Sequence, residues 1–465
     1  MRLVTVEPVV FSYVFTGAMI SPLLQQYIYD ELSKEHNFTK ADDYRLCING
    51  SDNSGNVTAL ENRIQTQASY WFIALSVSSS LPSLFTTLLY GSMSDATGRK
   101  PLLLCAIIGG LIKCFIVSMT VTLGWPFYVV FLGSLIDGLM GSTETITASS
   151  LAYIVDVTDN KSRTIRVGIL QLSIMFSVMV SYFIGGIWLK NSGYVPPFWA
   201  SVGVLFLCCF YIVIFLPESL KEKQNFNRFS CLANARRIKE FVVANRGPYI
   251  NICLLLSFIS FIFIDLDYFG SVTVLYTKHH PLCWGPEMIG YYMTAKTAVA
   301  GAGIVFTFKV LTKYIPETLI VIIGCVCFMI SDVILGFAKT TLAMFLSCIP
   351  AFFLAVAPPG NQSIASKLVS THEQGVLCSI IAVSEGLAKF MAPLTINTLY
   401  PVGLDKLHLP GFVFFVEAGL LLVPVILFAV IHYLIRKNGR FVYASLPENC
   451  KETEVQVQCE HNQRL

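Results

Sequence analysis

The chain has 465 residues, of which 54% are apolar and only 13% charged, with a mean hydropathy of +0.65. A soluble globular protein carries about 25% charged residues, so most of this chain's surface is built for lipid. A formal net charge of +3 is too small to point to nucleic acid, and the fourteen cysteines include no CxxC zinc pattern.

A helix needs about 20 apolar residues to cross the hydrocarbon layer. Twelve such runs are predicted in chain order, near 4–27, 70–90, 102–123, 127–155, 167–189, 197–216, 249–276, 288–308, 318–337, 342–364, 375–399 and 411–434. The first is long enough to span and no clear cleavage site follows it, so it reads as a retained helix rather than a signal peptide. The longest polar breaks are 28–69, 217–248 and the tail after Arg436. This divides the chain into a six-helix bundle at 1–216 with an outer loop at 28–69, a linker at 217–248, a second six-helix bundle at 249–435, and a tail at 436–465. The expected class is an all-α membrane protein of twelve spans.

Lysine and arginine in short loops set orientation. With the N-terminus in the cytosol, the cytosolic loops hold Arg99 and Lys100; Lys161, Arg163 and Arg166; Lys221, Lys223, Arg228, Arg236, Arg237, Lys239 and Arg246; Lys309 and Lys313; and Lys367. The opposite short loops hold only Lys190, Lys278, Lys339 and Lys406. The bias of fifteen against four fixes the expected topology. The 28–69 loop agrees, because it carries three glycosylation sequons, at Asn37, Asn49 and Asn56. Cys47 and Cys283 then both face an oxidising compartment, and a bond between them is predicted. His279 and His280 beside Cys283 read as a solvated loop pair.

Between spans 2 and 3 lies "GSMSDATGRKP", residues 91–101. Gly91 lets helix ends approach, Gly98 permits a turn that a side chain would resist, and Pro101 suits a first helical turn. Asp95 is placed to cap span 3 and to pair with Arg99 beside Lys100. These five residues (Gly91, Asp95, Gly98, Arg99, Lys100) are the expected conformational latch. The stretch resembles the loop signature G-x-x-x-D-x-x-G-R-K-P of major facilitator transporters, which implies two six-helix bundles rocking about a central site. The equivalent loop of the second half, "KVLTKYIPE", lacks the glycines.

A narrower resemblance rests on "VEP" at 6–8, "AYIVD" at 152–156, "SRTIR" at 162–166, "PPFW" at 196–199, "PLCW" at 281–284, "IGY" at 289–291, "SKLV" at 366–369, "EQG" at 373–375 and "GLLLVP" at 419–424. In this order they resemble solute carrier family 46, the proton-coupled folate transporter family. That resemblance pairs the cysteine of "PLCW" with one in the first outer loop, in keeping with Cys47–Cys283. One branch of the family imports folates with protons; another exports steroid conjugates and bile acids from lysosomes. Four functional positions of the folate branch are changed here, to Gln171, Ser142, Leu266 and Gln362. These departures set the chain nearer the lysosomal branch. Tyr443-Ala-Ser-Leu446 in the tail fits a tyrosine-based endolysosomal sorting signal and so implies a cytosolic sorting adaptor.

Ionisable residues at membrane depth cost roughly 2.5–3.5 kcal/mol each on insertion scales and face the protein interior. The chain places Lys113, Asp137, Glu144, Asp265, Asp267, Lys296, Asp332, Glu385, Lys389 and Glu417 there. Asp137 and Glu144, seven apart, share one face of a continuous helix. Because burial disfavours the charged form of a carboxylate, Glu144 is the first proton-coupling candidate, with Asp137, Asp265 and Asp267 behind it. Asp265 and Asp267 straddle Leu266, so one is expected inward and the other at the helix border. Glu385 and Lys389, at i,i+4, are expected to neutralise each other. Lys296, Gln171, Gln362 and Asn361 are candidates for binding substrate, and "PPGNQS" at 358–363 is expected to break span 10 and line a cavity.

No histidine or carboxylate cluster of enzymatic or metal-binding type is apparent, so neither cofactor nor metal is expected. The sequence reads as a secondary active transporter, a proton-coupled symporter of organic anions (steroid conjugates, bile acids or similar metabolites) moving them out of an acidic compartment. Its expected partners are a small organic anion, protons and the lipid bilayer, and its expected home is the lysosomal membrane. The alternatives are folate uptake with protons at the plasma membrane, or a membrane signalling or scaffold protein that transports nothing.

Overall fold

The computed structural model describes residues 5–38, 55–158, 160–220, 240–241, 243–244, 246, 248–269, 272–369 and 373–437. Regular structure among them is entirely helical. This follows from the solvent, since every backbone N–H and C=O in hydrocarbon must find its partner within the segment. Among the described residues, ten helical stretches are long and apolar enough to cross a bilayer. The other two predicted spans lie within the helix Gly55–Thr97 and across three shorter helical pieces between Thr341 and Lys367. Together they form the expected two bundles of six.

Several spans are interrupted. Span 4 is two helices, Tyr128–Leu139 and Ser142–Val157, separated by a left-handed Gly141 (φ +99°) and Ser142 (φ +48°). The premise of one continuous face joining Asp137 to Glu144 therefore fails. Span 7 is Pro248–Phe269 followed by Thr273–Lys278. Span 10 comprises Thr341–Leu346, a 3-10 segment at Pro350–Val356, and Ala357–Lys367. Its break thus precedes "PPGNQS" instead of falling on it. Pro358 and Pro359 sit in the first turn of the last piece, where a missing N–H costs nothing.

The 91–101 stretch is tighter than a loop. Helix Gly55–Thr97 runs through it, Gly98 turns the chain alone at φ +110°, and span 3 starts at Arg99. Glu218 caps the start of span 3: its Oε1 accepts from the Arg99 N–H at 2.9 Å and its Oε2 from the Lys100 N–H at 3.3 Å. A Cβ at Gly98 would lie 2.3 Å from Glu218 Oε2, so a side chain there would displace the cap. Arg99 Nε donates to Asp156 Oδ2 at 3.0 Å, and Ser219 Oγ donates to the same oxygen at 3.0 Å. These contacts, with that of Arg99 to Ser94 Oγ, bind spans 2, 3, 4 and 6 of the first bundle to one another. The side chain of Asp95 and the surroundings of Gly91 lie outside the described residues.

The bundles meet mainly through spans 5 and 8 and through spans 2 and 11. Where spans 5 and 8 cross, backbone meets backbone. A Cβ on Gly186 would sit 2.7 Å from the Pro286 carbonyl oxygen and 3.0 Å from Gly290 Cα.

Candidate transport site and outer gate

The end of the molecule carrying residues 28–69 is called the outer end here, following the charge bias of the loops. The polar contacts that join the bundles gather at that end. Lys278, closing span 7, pairs with Asp30 of span 1 and lies 4.6 Å from the centre of the Tyr29 ring. Asp30 also accepts from the Tyr194 hydroxyl, and Lys190 of span 5 pairs with Glu287 of span 8. Gln65 Nε2 donates to the Leu275 carbonyl at 3.3 Å, and Ser69 Oγ donates to the Asn397 carbonyl at 2.6 Å.

His279 belongs to this gate. It is 6% exposed, its Nδ1 lies 2.6 Å from the His280 carbonyl oxygen, and its Nε2 is 3.2 Å from Asn62 Oδ1. The expectation of a solvated loop pair is thus corrected. Neighbours from span 2 enclose this ring, with a Glu61 carboxylate oxygen 3.8 Å away. Burial pushes the imidazole's pKa down to about 4, with the hydrogen bond to the His280 carbonyl opposing it. At the inner end, the ion pairs Arg99–Asp156, Arg166–Glu7, Arg246–Glu373 and Lys367–Glu317 each stay within one bundle. Polar closure is therefore at the outer end among the described residues.

At mid-depth, among the described residues, one ion pair crosses between bundles. Lys389 Nζ of span 11 donates to Glu144 Oε1 of span 4 at 2.5 Å, across 245 positions of sequence. Glu144 is buried, and its Oε2 meets no hydrogen-bond donor. This corrects the expected Glu385–Lys389 neutralisation, because helix geometry places i,i+4 neighbours within reach but tertiary packing supplies a closer carboxylate. Asp137 is engaged within the first bundle: the Tyr13 hydroxyl donates to its Oδ1 at 2.9 Å and Lys113 Nζ to its Oδ2 at 2.9 Å. Asp265 and Asp267 are both buried, at 7% and 5% exposure, against the expectation that one would reach the border. Span 7 is packed by span 11 on one side and span 12 on another. Asp265 lies within electrostatic reach of Glu385, and Asp267 within reach of Lys296. Asp267 also meets Asp332 and Glu417, which the sequence placed at depth without a role.

Of the other binding candidates, Gln171 and Gln362 are exposed and Lys296 half-buried. Asn361 is fully buried and engaged with Ser257, donating from Nδ2 to its carbonyl at 3.1 Å and accepting from its hydroxyl. Its polar atoms hold span 10 against span 7. Asn37 is exposed in the turn after span 1. Cys47, Asn49, Tyr443 and Leu446 lie outside the described residues, as does the side chain of Asn56, so the Cys47–Cys283 bond, the glycans and the sorting signal stand as proposals.

Comparison with known proteins adds to this geometry. A family profile described as Major Facilitator Superfamily matches residues 8–393. The rat (Rattus norvegicus) "Proton-coupled folate transporter" is 31% identical, over 96% of this chain and 95% of its own. The chicken (Gallus gallus) "Lysosomal proton-coupled steroid conjugate and bile acid symporter SLC46A3" is 29% identical, over 91% and 92%. Those two figures do not separate the folate and lysosomal branches. Among solved structures, a D-xylose-proton symporter aligns at a TM-score of 0.62 with 15% identity, covering 95% of this chain and 96% of its own. The human organic anion transporter MFSD10 aligns at 0.61 with 16% identity, covering 91% and 97%; both speak to the fold alone.

Proposed function

We propose a function from one premise: this chain belongs to the major facilitator superfamily and, within it, to solute carrier family 46. It is a multi-pass membrane protein whose relatives are transporters rather than enzymes. On our reading it is a proton-coupled symporter of organic anions, taking steroid conjugates, bile acids or similar metabolites from an acidic compartment to the cytosol by alternating access. The lysosomal membrane is the home this reading favours, with the plasma membrane as the alternative.

The observation that carries the reading is the Lys389–Glu144 pair, the charge contact that joins the bundles at mid-depth. A carboxylate so buried is costly to leave ionised without its partner. A proton on Glu144 removes the attraction to Lys389 and lets the bundles part. It also frees an ammonium, a quarter exposed, for the carboxylate or sulfate of a cargo. One proton and one anion then enter together, and release of both restores the pair. Asp137, already satisfied by Tyr13 and Lys113, fits a supporting role in the first bundle. Lys296 offers a second cationic contact for the anion.

The test is flux in proteoliposomes of purified protein, with taurocholate, a steroid sulfate and folate as cargoes. Flux out of an interior at about pH 5.5 should exceed flux at equal neutral pH, and E144Q should abolish that difference. Equal wild-type rates at both pH values would remove the proton from the mechanism, and absence of saturable flux for every anion would favour a non-transporting role. Folate is retained because the 31% identity to the rat folate transporter favours it as a second cargo class.

A further inference from the structure

We infer that Asp267, Asp332 and Glu417 form a second proton-binding site, buried in the second bundle and held in check by Lys296. The inference deepens the symport reading and rests on it for its role in transport, though not for its existence.

The three carboxyl groups come from spans 7, 9 and 12, and their oxygens lie within 4.8 Å of one another. Their residues are 5%, 2% and 4% exposed. Neither oxygen of Asp267 meets a hydrogen-bond donor, nor does Oδ2 of Asp332. Asp267 is thus an unpartnered, buried side chain directed at two further carboxyls. Charge repulsion at this spacing, away from water, forbids three simultaneous anions.

Lys296 and Tyr292 face the cluster from span 8, Cys325 from span 9 and Cys348 from span 10. Tyr292 is occupied with the Ser347 hydroxyl at 3.0 Å. Lys296 is the one cation among them, and it makes no hydrogen bond or ion pair with a described residue. One ammonium against three carboxylates leaves two negative charges to be neutralised, and protons supply that charge without needing space. A metal ion suits the site less well, because the neighbouring ammonium repels it.

The balance ties the site to whatever occupies Lys296. An anion neutralising that ammonium removes the positive charge that favours ionised carboxylates, so the triad then holds its protons more firmly. By reciprocity, protons on the triad favour the anion. Glu144 lies at the other charge cluster, so loading one site does not require the other.

The experiment is infrared spectroscopy of the full-length protein in liposomes, titrated from about pH 8 to about pH 5 without cargo or gradient. Only a protonated carboxyl shows the carboxylic C=O stretch. We expect this band to grow on acidification and to lose part of its amplitude in D332N and, independently, in E417Q. K296Q, which imitates a neutralised lysine, should carry the band to higher pH, whereas K296R should leave it near wild type. A band indifferent to pH, or unchanged by both carboxyl substitutions, overturns the proposal. So does its suppression by Na⁺ or Ca²⁺ at fixed pH, which would make the triad a metal site. Failure here leaves the flux experiment untouched, and pH-independent flux would leave this titration standing.

Discussion

Replacing Lys389 by methionine leaves Glu144 in place, 5% exposed and with neither carboxylate oxygen satisfied. Removing one partner of a buried pair costs about 3–5 kcal/mol, most of it the penalty for the charge left behind. The converse change, E144Q, strands a lysine that is 25% exposed, less enclosed than Glu144, so it should cost less, about 1–2 kcal/mol. The double variant E144Q/K389M buries no charge and should lie nearer wild type than K389M does. Thermal unfolding of the purified protein in detergent measures all four members of the cycle. Additive single effects would refute the claim that this pair is a buried, mutually dependent charge contact.

Four other outcomes follow from the structure. His279, held neutral with its pKa near 4, binds its proton less readily folded than unfolded, so it withdraws stability as pH falls from about 6.5 towards 4. At pH 5 that is roughly 2 kcal/mol, and H279Q should flatten this part of a thermal-stability profile. G186A must push the Pro286 carbonyl away from its 2.7 Å clash and should cost about 1–3 kcal/mol while slowing flux. G98A forces a side chain into a left-handed turn and into Glu218, for a loss of about 1–3 kcal/mol, and E218A alone should cost about 0.5–2 kcal/mol by uncapping span 3.

Hydropathy made the spans legible because lipid imposes one requirement on all of them, a helix of apolar side chains. The bias of lysine and arginine between loops and the "GSMSDATGRKP" stretch carried the architecture as well. Composition says nothing about where a helix bends, however. The 3-10 stretch at Pro350–Val356 sits inside an apolar run, and the left-handed step at Gly141 and Ser142 carries no proline to announce it. Sequence also offers only neighbours on the same helix as partners. Glu385 was the visible counterion for Lys389, and Glu144 was not, because that contact exists only once two bundles pack. For the same reason Asp332 and Glu417 could be placed at depth but not brought to Asp267. His279 escaped because a short polar stretch between spans reads as solvated loop, whereas span 2 extends outward far enough for Glu61 and Asn62 to cover it.

The bare crossing of Gly186 and Gly290 has a mechanical consequence. Two backbones this close, with no side chain wedged between them, act as a bearing: one helix can roll on the other without any rotamer having to unlock. Charged contacts can then break and form on either side of the membrane while the axle itself stays in register. Bulk added at that point should stiffen the turnover of the machine more than it weakens its grip on any ligand.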